Sequence, residues 1–173
     1  CAEKEESSSS STTTTTSGLY VAVGSGGTIL TSSDGAIWTK RKSGTKLHLG
    51  NVTYANDTFV AVGNGGSVIT SSDGTTWTSR TSGTNGTFSE VIYANNIFMA
   101  VSGRTVFTSP DGTTWTSRTS GTTKTLYGIT YGNSTFVTVG NSGTILTSSD
   151  NGTTWSSRTS GTTEYLFGVA YKE

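Results

Sequence analysis

The residues best suited to chemistry in this sequence are few, and most belong to a repeat. The chain of 173 residues has one cysteine, Cys1, and one histidine, His48. A protein metal site needs several Cys, His or carboxylate ligands, and a serine-type triad needs a histidine base, so we expect no metal, no such triad and no cofactor. Eleven basic and eleven acidic side chains give zero net charge, which argues against nucleic acid as a partner.

Four of the five aspartates lie in one repeated motif. It reads Ser-Ser-Asp-Gly-x-x-Trp around Asp34 and Asp73, and Ser-Pro-Asp-Gly-Thr-Thr-Trp around Asp111. The copy around Asp150 has one more residue, Ser-Ser-Asp-Asn-Gly-Thr-Thr-Trp. The tryptophans at 38, 77, 115 and 155 are 39, 38 and 40 residues apart, a period typical of repeat folds. A residue that recurs in every repeat is better explained by the scaffold than by a single active site.

Each repeat predicts four short β-strands, named a to d in chain order. In one unit they are 126–131, 135–139, 144–148 and 155–159, separated by turns rich in Gly, Asn and Asp. Strands joined by such turns form an antiparallel meander, and one meander cannot bury a core alone, so the units must stack. The predicted fold is therefore all-β, a β-propeller of four four-stranded blades over residues 18–173.

The chain does not begin at the first strand of a repeat. Strand b comes first, at 19–23, and an a strand, 166–171, comes last. Pairing this C-terminal strand with the N-terminal three-stranded blade closes the ring and hides two strand edges. Closure within one chain gives a four-bladed monomer, which we favour, and closure between two chains gives a dimeric ring of eight blades.

The Ser-x-Asp-x-Gly-x-x-Trp pattern resembles the Asp-box, or BNR repeat, of sialidase-like propellers. The repeated part of the chain is also similar to bacterial propellers related to photosystem II assembly factors. The copy around Asp150 matches at full length, and the other three are one residue shorter. In that family the motif closes a hairpin at the blade periphery, away from the active site. The resemblance therefore implies a structural role for Asp34, Trp38, Asp73, Trp77, Asp111, Trp115, Asp150 and Trp155.

Residues 1–17 differ in composition from the rest. Ser and Thr fill positions 7–17, and this tract has no hydrophobic periodicity, so it is predicted to be a disordered tether. A sequence that starts at Cys1 resembles a mature bacterial lipoprotein, whose first cysteine is acylated. The resemblance implies a lipid anchor at the bacterial outer membrane or cell surface. A secreted or periplasmic protein, or a fragment boundary before Cys1, is the alternative.

Residues that break the repeat are the better candidates for a binding site. In propellers the d–a and b–c loops share one face, and the a strands line the channel. The four repeats differ in charge and size on that face, which would suit a glycan or a peptide segment, although exposed loops also drift neutrally. The candidate ligand-binding residues are His48, Asn51, Glu90, Arg104, Lys124, Glu164 and Tyr165.

The main functional hypothesis is a non-catalytic binding or scaffold propeller at the cell envelope that recognises a glycan or a protein. An assembly or quality-control factor for a membrane complex is the alternative. A sialidase-like glycoside hydrolase is a third hypothesis, but glycosidases usually need two facing carboxyl groups. Only Asp57, Glu90, Glu164 and Glu173 remain outside the motif in the repeated part, and only Arg104 is an arginine outside the repeat register. We therefore predict that the protein is not an enzyme.

Overall fold

Four antiparallel sheets make up the structure, a computed structural model that describes residues 18–173. The first sheet has three strands, β1 (Tyr20–Gly24), β2 (Thr28–Ser32) and β3 (Thr39–Arg41). The second has four, β4 (Leu49–Ala55), β5 (Thr58–Gly63), β6 (Val68–Ser71) and β7 (Thr78–Arg80). The third has β8 (Phe88–Ala94), β9 (Ile97–Ser102), β10 (Thr105–Ser109) and β11 (Thr116–Thr119). The fourth has β12 (Leu126–Gly132), β13 (Thr135–Gly140), β14 (Ile145–Ser148) and β15 (Ser156–Arg158). Cys1 and the predicted tether lie outside the described residues.

Local turn chemistry explains the inner hairpin of each four-stranded sheet. The two residues between β4 and β5, Asn56 and Asp57, have φ of 47° and 54°. Positive φ at both central residues defines the type I′ turn, whose twist matches the flanking strands, and Asn and Asp tolerate that conformation better than other non-glycine residues. The turn fixes the register, so that Tyr54 lies opposite Phe59. The same turn recurs at Asn95–Asn96 and Asn133–Ser134.

The core lies between successive sheets rather than within one. Ile29 of the first sheet packs with Leu49, Ala61 and Ile69 of the second. Strands such as β5 are apolar on both faces because each inner sheet is covered from both sides: Phe59, Val60, Ala61 and Val62 are all buried. The first strands of the four-stranded sheets, β4, β8 and β12, lie side by side. The four sheets therefore stack in chain order as predicted for blades.

The predicted closing strand does not form within the chain. Residues 159–173 contain no strand, and the first sheet keeps three strands. The segment 166–171 lies against β12 instead, where the backbone N–H of Leu166 donates to the carbonyl oxygen of Gly140 (3.1 Å) and the rings of Phe167 and Tyr127 are 5.2 Å apart. Pairing with β1 would require the two ends of the row of sheets to meet, and they do not. The ring is open, which corrects the expected closure in a monomer.

Candidate functional site

The most regular polar feature of the structure is the turn that contains each repeated aspartate. Asp73 Oδ1 accepts hydrogen bonds from the backbone N–H groups of Thr75 (2.7 Å) and Thr76 (2.8 Å) and from the hydroxyl of Ser71 (3.0 Å). The carboxylate thus binds the turn that follows it, as in an Asx-turn. The same pattern recurs at Asp34 and Asp111, and at Asp150 the longer turn supplies one backbone N–H, from Thr154.

Each of these turns also anchors its tryptophan. The indole N–H of Trp77 donates to the carbonyl oxygen of Gly74 (2.9 Å), and Trp77 packs on the cluster between the first and second sheets. Gly74 has φ of 69° and is buried, and a Cβ added there would overlap the side chain of Leu19, which directly precedes β1 of the preceding sheet. The turn therefore joins one blade to the blade before it, and its carboxylate faces its own backbone.

The hydrogen bonds within the turns keep these carboxylates ionised. The backbone N–H of Thr76 is the main cause that lowers the pKa of Asp73 to about 2. The hydroxyl of Thr154 has the largest effect at Asp150, whose pKa also falls to about 2. The pKa values of Asp34 and Asp111 are lowered as well, chiefly by the N–H of Ile37 and the hydroxyl of Thr113. Such groups are poor proton donors near neutral pH.

These lowered pKa values predict a loss of stability in acid. A carboxyl group with a depressed pKa in the folded state stabilises that state above its unfolded pKa of 3.8, and the contribution is lost as the pH falls toward about 2. We expect Asp73→Asn to lose less stability between pH 4 and pH 2 than wild type, since the amide does not titrate. The urea midpoint, followed by tryptophan fluorescence at each pH, measures this.

Asp57→Asn is the matched control, because Asp57 is exposed and accepts one hydrogen bond, from the Tyr54 hydroxyl (3.3 Å). It should keep the wild-type dependence on pH. Equal slopes for the two variants would contradict a stabilising role for the ionised Asp73.

The d–a and b–c loops lie together at one end of the blades. The backbone N–H of Asn64, in the b–c turn Asn64–Gly66, donates to the carbonyl oxygen of His48 (2.9 Å), and that of Gly66 donates to Gly86 (2.6 Å). In the fourth sheet the N–H of Gly143 donates to the carbonyl oxygen of Glu164 (2.6 Å). These backbone hydrogen bonds hold the b–c turns against the d–a loops. We use the name loop face for residues 25–27, 42–48, 64–66, 81–87, 103–104, 120–125, 141–143 and 159–165.

The structure places five of the seven candidate residues on this face, with exposed side chains. His48 Nδ1 is 3.2 Å from the Ser25 hydroxyl. Tyr165 is 55% exposed, and its ring centroid is 6.3 Å from that of Phe167. Within residues 18–173, no other polar side chain lies within hydrogen-bond or ion-pair distance of the charged groups of Arg104, Lys124 and Glu164. The five side chains are thus accessible, but they form no mutual constellation.

The other two candidates, Asn51 and Glu90, bridge the inner strands. Asn51 Oδ1 accepts a hydrogen bond from the backbone N–H of Val91 (3.4 Å), and Glu90 Oε2 accepts one from the N–H of Ile129 (2.7 Å). Each side chain thus links its own strand to the first strand of the next sheet. Burial raises the pKa of Glu90, and the bond from Ile129 opposes that shift. This arrangement gives both side chains a role in blade stacking that the sequence pattern did not reveal.

Open grooves recur beside the loop face. One, of about 620 Å³, lies between loop 83–84 and the outer half of the third sheet and is lined by Arg104, Phe107 and Arg118. Its counterpart at the fourth sheet, of about 660 Å³, is lined by Ser142 and Arg158. The repeated arginines are partly engaged, since Arg118 Nε donates to the Thr108 hydroxyl (3.1 Å). Arg104 and Phe107 line the first groove only, and no arginine or aromatic side chain takes their place in the second.

Between residues 18 and 173, no three His, Cys, Asp or Glu side chains form a group that could hold a metal ion. Over the same range, no helix is long and apolar enough to cross a membrane.

Comparison with known proteins identifies the fold. No protein-family model matches the sequence, and no curated protein matches it. A structure of YCF48 bound to D1 peptide matches with a TM-score of 0.66 at 17% identity, over 86% of this chain and 52% of that one. YCF48 from Cyanidioschyzon merolae matches with a TM-score of 0.66 at 15% identity, over 87% of this chain and 55% of that one. The computationally designed protein Ika8 matches with a TM-score of 0.61 at 11% identity, over 88% of this chain and 52% of that one.

The protein is a β-propeller, which confirms the fold class predicted from the repeat. The chain spans about half the length of the structures that it matches. At these identities the likeness concerns the fold, and function has to be argued from the residues of the site.

Proposed function

We propose that this protein is a non-catalytic propeller that holds a segment of a partner protein on its loop face and acts as an assembly factor for a membrane complex. The observation that carries the proposal is the likeness of its fold to YCF48, which has been captured with a D1 peptide. This favours the assembly hypothesis over recognition of a glycan. Display at the bacterial cell envelope through a lipid on Cys1 remains a prediction.

The chemistry of the loop face supports a peptide ligand. Some of its backbone N–H and C=O groups pair with one another, as between Asn64 and His48, and the exposed side chains are available to a ligand. Both signs of charge are available, on Arg104, Lys124 and Glu164, and all three side chains are exposed. Mixed charges without a deep apolar cavity suit an extended polypeptide that is read by ion pairs and hydrogen bonds.

The distribution of carboxylates supports a non-catalytic role. The repeated aspartates are engaged in their own turns, and Glu90 accepts a hydrogen bond from Ile129. Asp57 lies in the turn between β4 and β5, at the opposite end of the strands from Glu164 in the d–a loop. A glycoside hydrolase needs two carboxyl groups a few ångströms apart, about 5–10 Å in the usual mechanisms, and no such pair is available on the loop face.

Binding of the purified chain to two arrays in parallel tests the proposal. One array carries overlapping peptides that tile integral membrane proteins, and the other carries glycans. We expect binding to peptides, and we expect the double variant Arg104→Ala/Lys124→Ala to bind the best peptide about tenfold more weakly, the effect of removing roughly 1.4 kcal/mol of interaction. The thermal unfolding midpoint should stay the same, because both side chains are exposed.

Lys40→Ala is the matched control, since Lys40 is an exposed cation on the outer strand β3, outside the loop face. It should bind as wild type does. Unchanged peptide affinity in the double variant would contradict the proposed site, and binding to glycans alone would contradict a peptide ligand.

A further inference from the structure

Large apolar side chains are exposed mainly at the two ends of the row of blades. In the first blade Tyr20 is 58% exposed and Trp38 is 40% exposed. In the segment 165–171 Tyr165, Phe167 and Tyr171 are 55%, 67% and 48% exposed. Exposed aromatic clusters of this kind mark surfaces that other molecules cover.

Two exposed residues of the first blade, Tyr20 and Gly35, occupy positions that are buried in every later blade. Tyr20 aligns with Phe59, Phe98 and Phe136, which are 9%, 0% and 1% exposed. The turn glycine of the first blade, Gly35, is exposed, whereas its counterparts Gly74, Gly112 and Gly152 are buried. The preceding blade covers these positions in blades two to four, and within residues 18–173 the first blade has no such neighbour. It therefore presents a complete, unoccupied blade-binding surface.

The last blade presents the complementary surface. Val137 is only partly buried, whereas its counterparts Val60 and Met99 are fully covered by the blade that follows them. Ile145 is likewise partly exposed, although Val106, at the same place in the third blade, is 0% exposed. The two ends of the row thus match each other as each blade matches the next.

The first blade lacks the inner strand that the other three blades have. In the three complete blades an aromatic pair joins the first two strands: Tyr54 with Phe59, Tyr93 with Phe98, and Tyr131 with Phe136, with ring centroids 4.5, 4.7 and 4.6 Å apart. In the first blade Tyr20 has no such partner strand. The repeat register places Tyr171 opposite Tyr20.

We propose that two copies of this chain close one ring of eight blades. The segment 166–171 of each copy adds to β1 of the other as the missing inner strand, and the last blade of each copy packs on the first blade of the other. The two joints are identical and related by a two-fold axis, so the dimer pairs the free inner edge of β1 in both copies.

A second copy is the occupant that the geometry favours because each end of the row fits the other end. Within residues 18–173 the two ends of the row do not meet, and both remain exposed and unpaired. An unrelated partner would have to imitate a blade face and an inner strand at once. A second copy supplies both.

The mass of the full chain in solution, measured by light scattering, is the first test. We expect twice the chain mass of 17.9 kDa at micromolar concentration. A mass of 17.9 kDa would overturn the proposal. So would a series of larger masses, because head-to-tail joints that fail to close form filaments.

Disulfide trapping tests the joint itself. By the register of Ala55 with Thr58 in the second blade, Lys172 should lie opposite Leu19 of the other copy, and cross-strand Cα distances of about 4.5–5.5 Å suit a disulfide. In a Cys1→Ser background, Lys172→Cys is mixed with Leu19→Cys and oxidised. We expect a covalent dimer of the two variants on a non-reducing gel.

Thr58→Cys is the matched control for this mixture, because Thr58 occupies the same place in the second blade and is already paired with Ala55. It should give no cross-linked dimer with Lys172→Cys. Cross-linking to Thr58→Cys as readily as to Leu19→Cys would overturn the proposed register. A double variant, Leu19→Cys/Lys172→Cys, that forms only a disulfide within one chain would show closure in the monomer and overturn the dimer.

Discussion

Replacing Gly66 by alanine should lower the free energy of unfolding by about 2–5 kcal/mol, as the sum of left-handed backbone strain and overpacking. Gly66 has φ of 71°, and its N–H donates to the carbonyl oxygen of Gly86 (2.6 Å). A Cβ added there would overlap the carbonyl oxygen of Thr84. The overlapping atom belongs to the backbone, so the whole d–a loop would have to move. The urea midpoint, read by tryptophan fluorescence, measures the loss.

Gly65→Ser in the same turn is the control. Gly65 has φ of 62°, and in the fourth blade Ser142 holds the same place with φ of 55°. The nearest atom to an added Cβ is the end of the exposed Leu47 side chain, which can turn away. We expect a loss of about 1–2 kcal/mol, the cost of left-handed backbone strain without overpacking. Equal losses for the two variants would show that φ alone, and not the close approach of the loops, makes glycine necessary at Gly66.

Phe98→Ala should destabilise the protein by about 3–5 kcal/mol, the usual range for removing a buried phenylalanine. Phe98 is 0% exposed and packs in the cluster between the second and third blades, with its ring 4.7 Å from that of Tyr93. This loss is a large part of the roughly 5–15 kcal/mol that stabilises a typical domain. Chemical unfolding at one protein concentration measures it.

Tyr54→Ala is the comparison, because Tyr54 also pairs with an aromatic ring, that of Phe59 at 4.5 Å, but is 53% exposed. We expect a loss of about 1 kcal/mol, within the range for one aromatic pair. A loss as large as that of Phe98→Ala would mean that the aromatic pairs, and not burial between blades, stabilise the stack.

The repeat was sufficient to predict the blades from the sequence. The turns around Asp34, Asp73, Asp111 and Asp150 and the Asn-rich hairpins are local features, and local features are readable from residue types and spacing. The sequence did not predict in the same way how the ring of blades closes. Whether the segment 166–171 meets β1 of its own chain depends on the angle between successive blades, which no short pattern encodes.

The candidate site residues show the same difference: the repeat predicts which of them lie on the loops, but it does not predict contacts between blades. Exposed loop residues such as Lys124 and Glu164 were placed on the loop face by the repeat alone. Asn51 and Glu90 looked equally exceptional in sequence, but their partners are backbone N–H groups of the next blade, at Val91 and Ile129. A backbone N–H donor leaves no trace in the sequence. From the sequence alone, a side chain that hydrogen-bonds to the next blade therefore looks the same as one that is free to bind a ligand.

The mutual pairing of the loop backbones has a consequence for how this surface can change. The b–c turns are held by carbonyl oxygens of the d–a loops, such as those of His48, Thr125 and Glu164, and those atoms are present whatever the side chain. Substitutions at such positions can therefore alter the ligand without altering the turn. The same property makes the loops suitable for grafting, so that a recognition sequence could be exchanged while the blades beneath it stay as they are.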